Sequence, residues 1–201
     1  MYRALAVTLC VGLSGCAATI PPAQLATPER LSPIPSSTGQ SKTIYIANVA
    51  AKLIDKKIGQ MKGGTLCVGS TDLIWGDNPG VLSAMREQMG ATLSKHGYNV
   101  YMGLIQTSGE RDADVLIGAA IENFKANICY SLYGMKGAAS LTLKWEVLDN
   151  KTKKSSFLSA SGVADIPEFS RTGDPDVFVK AIEMAVENIL AQQAFFQATR
   201  R

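Results

Sequence analysis

The chain has 201 residues, with 20 Lys and Arg against 17 Asp and Glu, a formal net charge of +3, one histidine and four cysteines. This near-balance, with one of the cations already spent at Arg3, leaves no basic stripe of the kind a nucleic-acid surface needs. A single histidine and no closely spaced cysteine pair fall short of a structural zinc site, so no metal and no cofactor is expected.

At the N-terminus, Met1-Tyr2-Arg3 places one positive charge ahead of the apolar run from Ala4 to Val11. That run is too short to cross a hydrocarbon core of about 30 Å as a helix, so it reads as a signal rather than a span. It closes on Leu13-Ser14-Gly15-Cys16, a branched apolar residue, two small residues and a cysteine. These four residues resemble the lipobox of bacterial lipoproteins. The resemblance implies a signal peptide over residues 1–15, cleavage before Cys16, diacylglycerol on its thiol and a palmitate-type chain on the new amino group. Two or three acyl chains, at roughly 0.8 kcal/mol per buried methylene, hold a protein to a bilayer lastingly. Ala17 stands where an aspartate would resemble an inner-membrane retention signal, so the resemblance implies an outer-membrane anchor facing the periplasm.

Residues 16–42 then read as the lipidated start and a tether, the alternative being a segment that packs along the domain. Ile20-Pro21-Pro22, Thr27-Pro28-Glu29, Ser32-Pro33-Ile34-Pro35 and Ser36-Ser37-Thr38-Gly39 are rich in proline and small polar residues, with no sustained apolar period. Such a segment lacks the apolar surface to fold alone and tends toward polyproline II, at about 3.1 Å per residue.

Residues 43–201 are expected to form one periplasmic domain, long enough to bury a sizeable core. Thr43 to Val49 predicts a strand, and Leu53 to Gly59 and Gly63 to Val68 predict two more, divided by glycine turns. Asp77-Asn78-Pro79 opens a helix whose Leu82, Met85, Met89 and Leu93 recur at three and four residues, and Gly97 closes it. Tyr98 to Met102 is a strand. Ala113 to Ile121 and Phe124 to Cys129 are further strand sequence, with a slip of phase at Glu122-Asn123 that predicts a bulge. In the next strand Ala139, Leu141, Leu143, Trp145 and Val147 face one way and Thr142, Lys144 and Glu146 the other. Asp149 to Lys154 is a basic hairpin turn into a strand over Ser155 to Val163. Asp174-Pro175-Asp176 starts a second helix, with Phe178, Ala181, Ile182, Ala185 and Ile189 on one face.

Once Cys10 leaves with the signal and Cys16 takes lipid, two thiols remain, and an oxidising compartment favours a bridge between Cys67 and Cys129. The succession of elements gives an α+β fold: a mainly antiparallel or mixed sheet with two principal helices packed on one face. The stretches Lys62-Gly63-Gly64-Thr65-Leu66-Cys67, Ala113 to Ala119 with Ile128-Cys129, and Gly137 to Val147 resemble a poorly characterised envelope domain sometimes found ahead of trypsin-like peptidase modules. In layout the chain is also similar to the curli-secretion, penicillin-binding-protein-activator and transport-auxiliary lipoproteins. The resemblance rests on core and turn patterns and therefore implies a fold more than an activity.

Catalytic constellations are not apparent. A serine-protease triad needs a histidine base beside a nucleophilic serine, whereas His96 sits in Lys95-His96-Gly97, where a polar side chain suits a helix end. Met61-Lys62-Gly63-Gly64 lacks the trailing lysine and hydroxyl of a phosphate loop. Asp112 and Asp114 flank a strand entrance as solvated carboxylates do, and Trp75 and Trp145 read as core before ligand groove. The expected function is a non-catalytic binding or assembly module of the envelope, with another envelope protein or further copies of the chain as partner. The expected contact surfaces are exposed sheet edges and Phe195 and Phe196 at a helix end, the alternative being that both phenylalanines cap the core. The alternative is a carrier or sensor holding a small apolar or lipid ligand between sheet and helices.

Overall fold

A 17-residue strand, β5 (Val115–Ser131), organises the sheet. The computed structural model describes residues 33–35, 41–76, 79–101, 112–171 and 176–200. Along one edge of β5 runs β6 (Gly134–Asp149), antiparallel, with β7 (Ser155–Ser170) antiparallel outside it. The other edge is shared by two strands in succession. β1 (Thr43–Ala51) lies parallel to the first half, from Ile44 opposite Val115 to Ala51 opposite Ile121. β2 (Lys57–Gly63) lies parallel to the second half, from Gly59 opposite Ala126 to Gly63 opposite Tyr130. The changeover falls where the β5 ladder with β6 shifts register between Ile121 and Asn123, the slip of phase that the sequence carries at Glu122-Asn123. β3 (Val68–Ile74) pairs antiparallel with β2, and β4 (Asn99–Tyr101) pairs parallel with β1, giving an open mixed sheet of seven strands.

With the helices α1 (Pro79–Lys95), α2 (Asp176–Leu190) and α3 (Gln193–Thr199), the described residues form an α+β fold. In α1 the predicted stripe is packed, Met85, Met89 and Leu93 being buried. The helix ends as its glycine requires: Gly97 takes a left-handed φ of 82° and the Tyr98 amide donates to the Leu93 carbonyl at 3.1 Å. α1 packs against β1, β4 and α2, while α2 packs on β6 and β7. The apolar alternation of β6 buries Leu141, Leu143, Trp145 and Val147 and leaves Lys144 and Glu146 exposed. The predicted helix starts at Asp77-Asn78 and Asp174-Pro175 lie outside the described residues.

Two expectations change. The expected strand over 63–68 is instead a turn over 64–67, with Gly64 at φ 75° and Cys67 at φ 51°, between the end of β2 at Gly63 and the start of β3 at Val68. The link over 52–56 is not strand either; β2 begins at Lys57, whose amide donates to Asp55 Oδ1 at 2.8 Å. β3 is exposed along nearly its whole length, so no buried period marks it in the sequence.

The point where the chain enters the domain is tied down by polar contacts. The Lys42 amide donates to the Thr199 carbonyl at 2.8 Å and the Thr43 amide to Asp114 Oδ2 at 2.9 Å. Lys42 Nζ donates to Asp149 Oδ2 at 2.6 Å and to the Ala198 carbonyl at 3.1 Å. That lysine, followed by the Thr152 amide, holds the Asp149 carboxyl well below the usual carboxylate range. Upstream, Ile34 is half-buried and packs against the core. At the far edge, the Asn188 and Gln192 carboxamides donate to the Ser161 and Ser159 carbonyls of β7 at 2.8 and 2.9 Å. Polar groups of this edge strand are thereby taken within the chain rather than offered to another strand.

Candidate functional site

Cys67 and Cys129 form a disulfide, with Cα atoms 5.6 Å apart and 62 residues between them in sequence. Cys67 ends the turn between β2 and β3, and Cys129 lies near the end of β5, one register step from Tyr130. The bridge therefore fixes the β2–β3 turn against the last residues of β5, beside the β5–β6 turn at 132–133. These two turns and the first residue of β3 carry a group of exposed apolar side chains: Leu132 is 97%, Leu66 75%, Val68 63% and Tyr133 58% exposed. Large apolar side chains clustered in this way on rigid turns mark an interaction surface more often than a scatter of single residues does. The end of β7 joins the same tip, where Lys136 Nζ stands 4.7 Å from the centre of the Phe169 ring.

The tip lies at the opposite end of β6 from Asp149, the residue that holds Lys42 where the chain enters the domain. Sixteen residues of strand span roughly 50 Å at about 3.4 Å each. Lys42 and the tip thus belong to opposite poles.

A second feature opens on the face of the sheet that Trp145 does not occupy. It is a depression of about 320 Å³, floored by Ala50, Gly118 and Ala120 and bordered by Lys144, Glu146 and Phe157. Lys144 Nζ is 3.4 Å from Glu122 Oε1 across it, and Phe157 is 64% exposed.

The predicted contact pair divides. Phe195 is fully buried, with its ring centre 5.7 Å from that of Trp145 and 5.4 Å from that of Tyr98, so it belongs to the core and offers no contact surface. Phe196 is half-buried, with the Arg200 guanidinium 5.9 Å from its ring centre. The seven-residue α3 turns one phenylalanine inward, which sequence adjacency does not reveal. Trp75 and Trp145 are both buried. His96 Nε2 lies 3.0 Å from Glu187 Oε1, joining the end of α1 to α2. Cys16 and the signal lie outside the described residues. Among the described residues no helix is long and apolar enough to cross a membrane, and no group of three His, Cys, Asp or Glu could hold a metal ion. Sequence reading missed the tip because Leu66, Leu132 and Tyr133 sit in turns and Val68 begins a strand exposed along nearly its whole length, so no buried period marks them. The signal that could have found them is their adjacency to the two cysteines.

No protein-family model matches the chain, and no curated protein does. Among solved structures it is similar to a PelC dodecamer from Paraburkholderia phytofirmans, at 11% identity over 79% of this chain and 95% of that chain, with a TM-score of 0.45. It is similar to protein XCC0632 of Xanthomonas campestris, described by the family DUF330, at 12% identity over 88% and 92%, with a TM-score of 0.40. It is also similar to lipoprotein GNA1162 of Neisseria meningitidis, at 10% identity over 65% and 88%, with a TM-score of 0.37. No residue role and no partner is carried over from these distant likenesses.

Proposed function

We propose that the chain is a lipid-anchored, non-catalytic module of the cell envelope, held to the outer membrane through Cys16 and binding an envelope protein, or further copies of itself, through the disulfide-clamped tip. The observation that carries this reading is the grouping of Leu66, Val68, Leu132 and Tyr133, all more than half exposed, on two turns and the start of β3, where one bridge joins the β2–β3 turn to β5. A tip fixed in advance loses little conformational freedom when it docks, which favours binding. Its position at the pole remote from Lys42 directs it away from the tether and hence away from the anchoring bilayer. In this reading α1 and α2 both cover the Trp145 face, leaving the tip and the opposite face for contacts. The carrier alternative receives less support: the depression described above lies on the face opposite Trp145, and lysine and glutamate border it.

The anchor is tested by the intact mass of the mature protein from membranes. A chain beginning at Cys16 with two or three acyl chains is expected, and an unmodified chain beginning elsewhere contradicts the anchor. The tip is tested by Leu66→Lys with Leu132→Lys, which should abolish recovery of the bound partner at unchanged thermal midpoint. Undiminished recovery contradicts that role.

A further inference from the structure

The depression on the open face is built from a register that crosses four strands. Asn48 stands opposite Gly118, Gly118 opposite Glu146, and Glu146 opposite Phe157. The next row runs Ala50, Ala120, Lys144 and Ser159. Glycine in a strand interior weakens the strand and commonly marks a place where a ligand or another backbone approaches closely. Gly118 has no conformational reason to be glycine, because its φ is not left-handed. Nor does packing demand it: a Cβ there would meet nothing within 4 Å. Gly118 therefore clears space above the sheet that the fold itself does not use.

The chemistry around that space is specific in kind. Phe157 offers an apolar ring at one wall, and it is 64% exposed. Lys52 and Lys144 are balanced by Glu122 and Glu146, so the lining has no net charge with which to attract an ion. Both donors and acceptors are nonetheless present: Lys144 Nζ is 3.4 Å from Glu122 Oε1, Glu146 Oε1 accepts from the Ser155 hydroxyl at 3.0 Å, and the Asn48 carboxamide carries both a donor and an acceptor. An uncharged ring with one apolar face and a rim of hydroxyls meets all of these features: C–H groups over Phe157, hydroxyls donating to the carboxylates and accepting from the ammonium groups, and close approach to the floor at Gly118. We infer that this depression is a saccharide-binding site, seating an uncharged pyranose ring of a glycan.

The test uses the full chain, isotope-labelled, in phosphocholine micelles that carry no sugar headgroup. It is titrated separately with the trimer of N-acetylglucosamine, with cellotriose and with maltotriose, reading backbone amide shifts. Saturable shifts at Gly118, Ala120 and Phe157 are expected with at least one trisaccharide. Gly118→Leu, whose Cβ would meet nothing within 4 Å, and Phe157→Ser, which removes an exposed ring, should each weaken binding about tenfold, or roughly 1.4 kcal/mol. No saturable shift with any of the three, shifts confined to other parts of the sheet, or undiminished affinity in Gly118→Leu would overturn the assignment.

Discussion

Cys67 and Cys129, whose Cα atoms are 5.6 Å apart, join an otherwise exposed hairpin to the long central strand. The bridge closes a loop with a sequence separation of 62, for which the chain-entropy picture gives about 4 kcal/mol of stabilisation. Replacing both cysteines by alanine should lower unfolding stability by about 2 to 4 kcal/mol in denaturant titration and loosen the β2–β3 turn first, as seen by hydrogen exchange at 64–68. An unchanged midpoint with unchanged exchange would contradict the clamp.

Lys42 and Asp149 give the domain an acid-sensitive lock. The Asp149 carboxyl is held below its usual range in the folded state, so the unfolded chain takes up its proton first as pH falls. The stability this supplies is present above about pH 4, the unfolded carboxylate range, and is lost as pH drops toward the folded value. Asp149→Asn should therefore flatten the acid limb of a stability profile between about pH 4 and pH 2 relative to the parent. At neutral pH it should cost about 1 kcal/mol through weakened hydrogen bonding. A parallel acid limb in the variant would refute the assignment.

Gly162 in β7 and Gly118 in β5, two strands separated by β6, should behave oppositely. A Cβ on Gly162 would lie 1.9 Å from the Ala181 carbonyl oxygen and 2.5 Å from the Ala185 amide nitrogen, so α2 could not keep its seat on β7. Gly162→Ala is expected to cost about 3 kcal/mol, whereas Gly118→Ala should stay within about 0.5 kcal/mol of the parent. Thermal unfolding of the pair decides this, and equal effects would mean that α2 does not lie so close.

The parts of the fold legible in the sequence are those where burial imposes a period. The alternation of β6, the bulge at Glu122-Asn123 and the stripes of α1 and α2 all write their buried side into the residue order. β3 is nearly all exposed and leaves no such trace. The splitting of one edge of β5 between β1 and β2 is a long-range arrangement that local patterns do not encode. The cysteine pairing was open to inference because few thiols remain, but the apolar tip was not, since Leu66, Leu132 and Tyr133 lie in turns that show no period. Phe195 misled because an apolar pair at a helix end reads as exposed until a third helix turns it onto Trp145.

The central claim, that the tip is where this chain meets its partner, is tested most directly by placing a photo-crosslinking amino acid at Leu132 in cells, with Lys151 at the opposite pole as control. The account predicts one or a few discrete adducts from Leu132, identifiable by mass spectrometry as an envelope protein or a second copy of the chain, and none of these from Lys151. Monomer alone from Leu132, or the same adducts from both positions, would contradict it.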